Sequence, residues 1–337
     1  MRLAVTLVTG RREPEKDTVC AALGALGTPG GHDATADVDF ALSLAERLVA
    51  DADDGARGSA VVRVPAEADP VELALVVPRV FAERSRDVAV RNIVAVATAG
   101  DLRALLFRDG GDDGRTADIG EAEQLALQLE FATVVVVAGA HSLDAARRLE
   151  IVGLLSKITP CARQFDLLPD GELLYREGTG RPAAVHDLGS TAGWMLELAG
   201  LPLPTESHGI GCLVYRDPRP FHPTRLATAV DGWLEPADAG LIVRSRGLVR
   251  LATRAGRVGS WSTAGEVLAL DPTAMTSWDT DTPPGQELVF FGRGLNRDHI
   301  VAVLDSCLLS DDELVAGPME WETYVDPFPA WDLEHGH

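Results

Sequence analysis

At 337 residues the chain is long enough for two domains, each with its own core. Its 46% hydrophobic and 24% charged residues are ordinary for a soluble globular protein. A formal net charge of −21 argues against non-specific attachment to nucleic acid or to an anionic membrane, although it leaves room for a local basic patch.

No run of about 18 apolar residues points to a transmembrane helix. The first residues lack the pattern of a secretory signal. The four cysteines, Cys20, Cys161, Cys212 and Cys307, lie far apart with no C-x-x-C. That usage predicts reduced thiols in a cytoplasmic protein and removes the strongest sequence sign of a tight zinc site. Cys212 falls inside a predicted strand and is expected to be a small buried hydrophobe.

The first half alternates strand and helix. Short Val-rich runs at 3–9, 60–64, 92–97 and 133–138 predict strands buried on both faces of a parallel sheet. Amphipathic stretches at 40–50, 71–83, 121–132 and 144–159 predict helices, the second opened by Asp69–Pro70 as cap and first turn. Such alternation implies an open α/β sheet with its ligand at the carboxyl ends of the strands. The acidic runs 51–54 and 109–113 read as solvated loops. Gly110–Gly114 is not a nucleotide cradle, because no helix start follows it directly.

Gly10–Thr18 follows the first strand, where such a ligand would sit. Gly10, Lys16 and Thr18 keep part of the G-x-x-x-x-G-K-[ST] spacing, but Glu15 replaces the second glycine and Asp17 the first hydroxyl residue. An intact loop cradles phosphates with backbone N–H groups and a lysine, while a hydroxyl holds Mg²⁺. Here Pro14 has no N–H to donate, and Glu13, Glu15 and Asp17 would face a polyanion. Lys16 and Thr18 are therefore either residual phosphate contacts or helix-start residues left by ancestry, with Lys16 a surface ion-pairing group in the second case.

Residues 166–205 are rich in Gly and Pro and read as a linker or covering segment with one helix at 190–199. Beyond them the pattern becomes α+β. Strands are predicted at 209–215, 241–246, 248–253, 258–262 and 287–292, with Gly247 as a tight turn, and helices at 224–234 and 297–308. His208 and His222 are candidate metal or partner ligands; His222, between Phe221 and Pro223, could equally serve as a turn residue. Trp321, Tyr324, Phe328 and Trp331 either form a partner-binding face or staple the last segment onto the core. Residues 332–337 hold His335 and His337 in what reads as a flexible tail.

The stretch from His208 to Leu226, with Arg219–Pro220–Phe221–His222–Pro223 at its centre, resembles the opening of the C-terminal domain of the CobW-like GTPases. Further matches follow in order: 243–247, 289–292, 307–313, and Asp326–Pro327–Phe328–Pro329–Ala330–Trp331. More weakly, Gln128–Leu129–Glu130–Phe131–Ala132 is similar to the helix before that family's guanine-specificity strand. The resemblance implies a P-loop GTPase-like, mostly parallel sheet flanked by helices over residues 1–165. A smaller α+β CobW C-terminal domain is implied over 206–331. By resemblance, GTP with Mg²⁺, and zinc, would be the family's ligands.

The motifs that carry that chemistry are altered. Arg63–Val64–Pro65–Ala66 stands where the family has E-x-x-G, and Ala138–Gly139–Ala140–His141 stands where it reads guanine with N-K-x-D. No cysteine motif occurs near 37–52. The expectation is a pseudo-GTPase with no catalytic residues and no bound cofactor, acting through a protein partner. By similarity to the divergent actinobacterial branch, that partner would be a ribosomal or ribosome-associated protein under zinc limitation, with no direct nucleic-acid contact. The alternative is a GTP-dependent zinc metallochaperone with an atypical loop and a metal site built from histidines.

Overall fold

The computed structural model describes residues 2–24, 40–85, 87–108, 119–176, 182–201, 203–233, 236–265, 267–280 and 282–331. The 109–113 run, the Gly110–Gly114 segment and the 332–337 tail lie outside them. The chain divides into two compact units, Met1–Met195 and Leu196–His337.

The first unit is built on a six-stranded sheet in the order β2-β1-β3-β4-β5-β6. Its strands are β1 (Leu3–Gly10), β2 (Gly58–Arg63), β3 (Val88–Thr98), β4 (Val134–Ala138), β5 (Arg163–Leu167) and β6 (Leu173–Arg176). β1 to β5 are parallel, and β6 returns antiparallel to β5. Alternate residues of β1 serve opposite faces, as the pleat requires. Val5 and Leu7 join one core with Leu44, Leu73 and Phe81, while Val8 joins another with Val19, Val94 and Val136. The helices are α1 (Glu13–Ala22), α2 (Phe40–Asp53), α3 (Pro70–Arg84), α4 (Ala99–Asp101, running on as a π turn over Leu102–Leu106), α5 (Ile119–Glu130), α6 (Ala145–Ile158) and α7 (Gly193–Leu198). The cap predicted for α3 is in place, with Asp69 accepting from the N–H groups of Val71 (2.7 Å) and Glu72 (3.2 Å).

Three features depart from the sequence expectations here. Residues 13–18 are helix rather than loop, Pro14 being tolerated in the first turn where an N–H has no partner. β5 and β6 carry the sheet into the segment read as a linker. Their hairpin turns at Asp170–Gly171, where Gly171 adopts φ 86°. The 51–54 acids lie partly on the last turn of α2.

The second unit is an all-antiparallel six-stranded sheet, β11-β10-β9-β12-β8-β7. It comprises β7 (Glu206–Ser207), β8 (Ile210–Asp217), β9 (Leu241–Val249), β10 (Arg257–Ala264), β11 (Val267–Thr276) and β12 (Gln286–Arg293). Its helices are α8 (Pro223–Trp233), α9 (Pro236–Ala239), α10 (Arg297–Cys307), α11 (Asp311–Ala316) and α12 (Pro318–Trp321). Leu226 of α8 and Ile300 and Leu304 of α10 meet Leu213, Trp261 and Phe290 of the sheet in one core.

Gly247 is not a turn. It lies inside β9, paired with Trp261 and Leu288 on either side. A Cβ there would stand 1.9 Å from the Glu287 carbonyl oxygen, so the glycine permits close strand approach rather than reversal. β11 is an edge strand that no prediction anticipated; Pro272, opposite Gly259 and beside a shift in register, is accommodated at such an edge. Cys212 is half-buried rather than buried.

Candidate functional site

In a parallel sheet of this order the strand direction of winding reverses between β1 and β3, and a ligand is expected beyond their carboxyl ends. Both ends are stitched together by the chain's own charges. Arg12, after β1, grips Asp101, after β3, through Nε (2.9 Å) and Nη2 (2.5 Å). Arg11 pairs with Glu121 at the start of α5. Burial would raise the Asp101 pKa, but hydrogen bonds from Arg12 and Thr98 outweigh it and hold the carboxyl below its ordinary value. Gly10 packs so closely on β3 that a Cβ would lie 2.5 Å from the Val96 carbonyl oxygen.

Only Arg11 and Arg12 separate β1 from α1, so the loop is shorter than the motif spacing suggests. The Lys16 N–H is already spent on the Arg12 carbonyl (3.0 Å) as the first helical bond. The Lys16 side chain is fully buried, not on the surface as a mere ion-pairing group would be. Its Nζ donates to the Val64 carbonyl (2.7 Å) and pairs with Glu13 (2.8 Å). The same Glu13 carboxylate also holds Arg63, whose Nε meets Asp17 at 2.7 Å. Thr18 donates its hydroxyl back to the Pro14 carbonyl (2.8 Å), an ordinary i−4 bond on an exposed helix face. Gly10, Lys16 and Thr18 are therefore all engaged within the chain. Residues holding a carboxylate where a phosphate would approach do not fit a triphosphate in this arrangement.

Arg63 is the residue that motif spacing missed. Read alone, it marks a lost acidic motif. In the fold it neutralises two of the three acids that seemed to repel a phosphate. The chain has only two lysines, Lys16 and Lys157, and both are buried (0% and 1% exposed).

Where the resemblance would place guanine reading, β4 ends at Ala138, and Gly139 turns the chain at φ 74° into the short 3-10 helix Ala140–Ser142. His141 is exposed there.

The two candidate metal ligands are not brought together. His208 is exposed in the turn between β7 and β8, while His222 follows the far end of β8. Eight residues of strand separate those ends, roughly 26 Å at 3.3 Å per residue. His222 stacks on Tyr324 at 4.8 Å between ring centroids, and its Nδ1 is buried without a partner. Burial and the neighbouring Arg225 lower its pKa. Among the described residues no group of three or more His, Cys, Asp or Glu side chains is placed to hold a metal.

The R-P-F-H-P turn is an anchor. Phe221 is fully buried, and the His222 N–H donates to Cys307 (2.8 Å), fixing the turn to the end of α10. Asp217 receives Arg219 through both the backbone N–H (2.8 Å) and the guanidinium. The late aromatics act as staples. Trp331 donates to the Leu270 carbonyl (2.9 Å), lies under the Arg254 guanidinium at 4.4 Å, and fills a slot above Gly259, where a Cβ would stand 2.7 Å from its ring. Trp321 donates to the Glu313 carbonyl (2.6 Å), and Phe328 packs on the core.

Residues 210–308 match the cobalamin synthesis protein cobW C-terminal domain. The protein is CobW-like. It is 33% identical over 278 residues to a zinc chaperone of Mycobacterium tuberculosis, covering 73% of this chain and 63% of that one. It is 30% identical over 231 residues to a zinc-regulated GTPase metalloprotein activator of Dictyostelium discoideum, covering 59% and 46%. The chain thus spans about half to two-thirds of the length of these curated relatives. A Zn(II)-bound YjiA GTPase from E. coli overlaps 92% of this CobW-like chain and all of its own, at 14% identity and a TM-score of 0.34. Among the described residues no helix is long and apolar enough to cross a membrane.

Proposed function

We propose that this CobW-like protein works in zinc homeostasis by binding a protein partner, its first unit serving as a pseudo-GTPase scaffold in the cytoplasm. The observation that carries this is the Glu13 carboxylate held between Lys16 and Arg63, with Arg12 and Asp101 bridging the ends of β1 and β3 beside it in sequence. A nucleotide would have to displace charge-assisted bonds worth roughly 1.5–3 kcal/mol each before making its own. The zinc context comes from what the two curated relatives are called. The partner implied by family resemblance is ribosomal or ribosome-associated, and the acidic surface favours a basic protein over RNA.

Titration with a fluorescent GTP analogue and Mg²⁺ is expected to give no saturable binding in the micromolar range. Saturable micromolar binding would sink the pseudo-GTPase assignment. The second reading, a GTP-dependent zinc metallochaperone, is the one the relatives' names favour. It requires that same nucleotide binding, together with stoichiometric zinc in the purified protein. Co-purification of ribosomes from zinc-starved but not replete cells tests the partner.

A further inference from the structure

Residues 298–331 contain eight Asp and Glu and no Lys or Arg. Three of the eight are used internally: Glu313 pairs with Arg225 (2.7 Å), Asp326 with Arg254 (2.9 Å), and Asp305 accepts from the Tyr215 hydroxyl (2.9 Å). Asp311, Asp312, Glu320 and Glu322 are exposed and make no ion pair with another described residue. In their midst stand three of the most exposed large apolar side chains among the described residues, Val315 (89%), Met319 (87%) and Val325 (74%).

These side chains are not on a loose strand. Ser310 and Glu313 form a capping box that opens α11. Trp321, ending α12, donates to the Glu313 carbonyl within α11, and Thr224 of α8 donates to the Val325 carbonyl at 2.9 Å. The segment is held by hydrogen bonds at both ends of the ridge, while its apolar groups point to water. Presenting apolar side chains from a fixed backbone lowers the ordering cost of covering them.

If the protein works through a partner, as proposed above, this ridge is where the charge and the apolar surface coincide. We infer that α11, α12 and the residues up to Val325 dock a basic amphipathic segment of a partner protein. Apolar side chains of the partner cover Val315, Met319 and Val325, and its Lys or Arg side chains meet Asp311, Asp312, Glu320 and Glu322. A second copy of the chain would set acid against acid, and nucleic acid or an anionic bilayer would be repelled outright.

The test uses the full chain and a fluorescein-labelled amphipathic Lys/Leu helix of about 18 residues, read by anisotropy at about 0.15 M salt. Two ridge variants are compared, V315D/M319D and D311N/D312N/E320Q/E322Q, all at exposed positions. The control, D51N/D53N/D54N/E67Q, removes the same number of exposed charges from the first unit. Circular dichroism verifies that each is folded. Both ridge variants are expected to weaken binding by about tenfold or more, and the control by less than about twofold. Absence of binding to the wild type, or equal weakening in the control, overturns the assignment. So does a concentration-dependent dimer abolished by V315D/M319D, because the occupant is then a second copy. Saturable GTP binding with an intact ridge effect would instead remove the pseudo-GTPase reading and leave the docking surface standing.

Discussion

Glu13 holds two cations at once, the buried Lys16 and the half-exposed Arg63. With Glu13→Ala, the buried Lys16 keeps the Val64 carbonyl as its remaining hydrogen-bond partner, and Arg63 keeps Asp17. Glu13 is partly exposed, so the loss in stability is expected at about 1–3 kcal/mol rather than that of a fully buried pair. Added inorganic phosphate should restore part of it, seen as a rise in Tm for the variant and none for the wild type. None of this was legible from motif spacing. The spacing shows a lysine among three acids, but not that Arg63 on a neighbouring strand joins them or that the lysine points inward. In the second unit Arg225 holds the Glu313 carboxyl down at about 2. A carboxyl depressed on folding adds stability above its unfolded pKa of about 4.3 and loses it as pH falls toward its folded value. The stability difference between wild type and Glu313→Gln, measured by urea unfolding, should be full at pH 7, shrink below pH 4.3 and vanish near pH 2.

Strands buried on both faces and helices with strong caps were readable because local pattern and final environment agree. Asp69–Pro70 announces α3, and the Val134–Val137 run announces β4. The elements that escaped are those whose identity depends on a distant neighbour. β11 is half-exposed along its length and has no clean alternation. Gly247 looks like a turn residue until β12 is laid beside it. Gly247→Val should therefore cost about 3 kcal/mol through backbone collision with Glu287, despite the high strand propensity of valine. Chemical denaturation is the check, and a neutral or stabilising result would mean β9 and β12 can part without penalty. His208 and His222 were legible as residues but not as a pair, because strand length alone places them at opposite ends of β8.

Each unit has its own buried core, one layered on both faces of a parallel sheet and one between an antiparallel sheet and its helices. Residues 1–201 and 202–337 expressed separately are each expected to unfold in a single cooperative transition by circular dichroism; failure of either to do so would show that its core is incomplete alone. The cobW C-terminal domain match lies within the second unit, whose motif residues include the buried anchor Phe221 and the half-buried staple Trp331, while the likeness to the zinc chaperone is long enough to run into the first unit. The first unit has the sheet order of an open α/β fold, and ion pairs link the segments that follow the carboxyl ends of its strands. Framework and chemistry are separable in this way because the strands are specified by apolar runs and the ligand site by a few polar residues at their ends.

The burial of both lysines has a practical corollary. In the folded state an amine-reactive ester or an acyl-transferring enzyme meets no lysine ε-amine at the surface. Acylation at Lys16 or Lys157, located by mass spectrometry, would thus time the opening of the region around each one, giving two internal clocks without any introduced label.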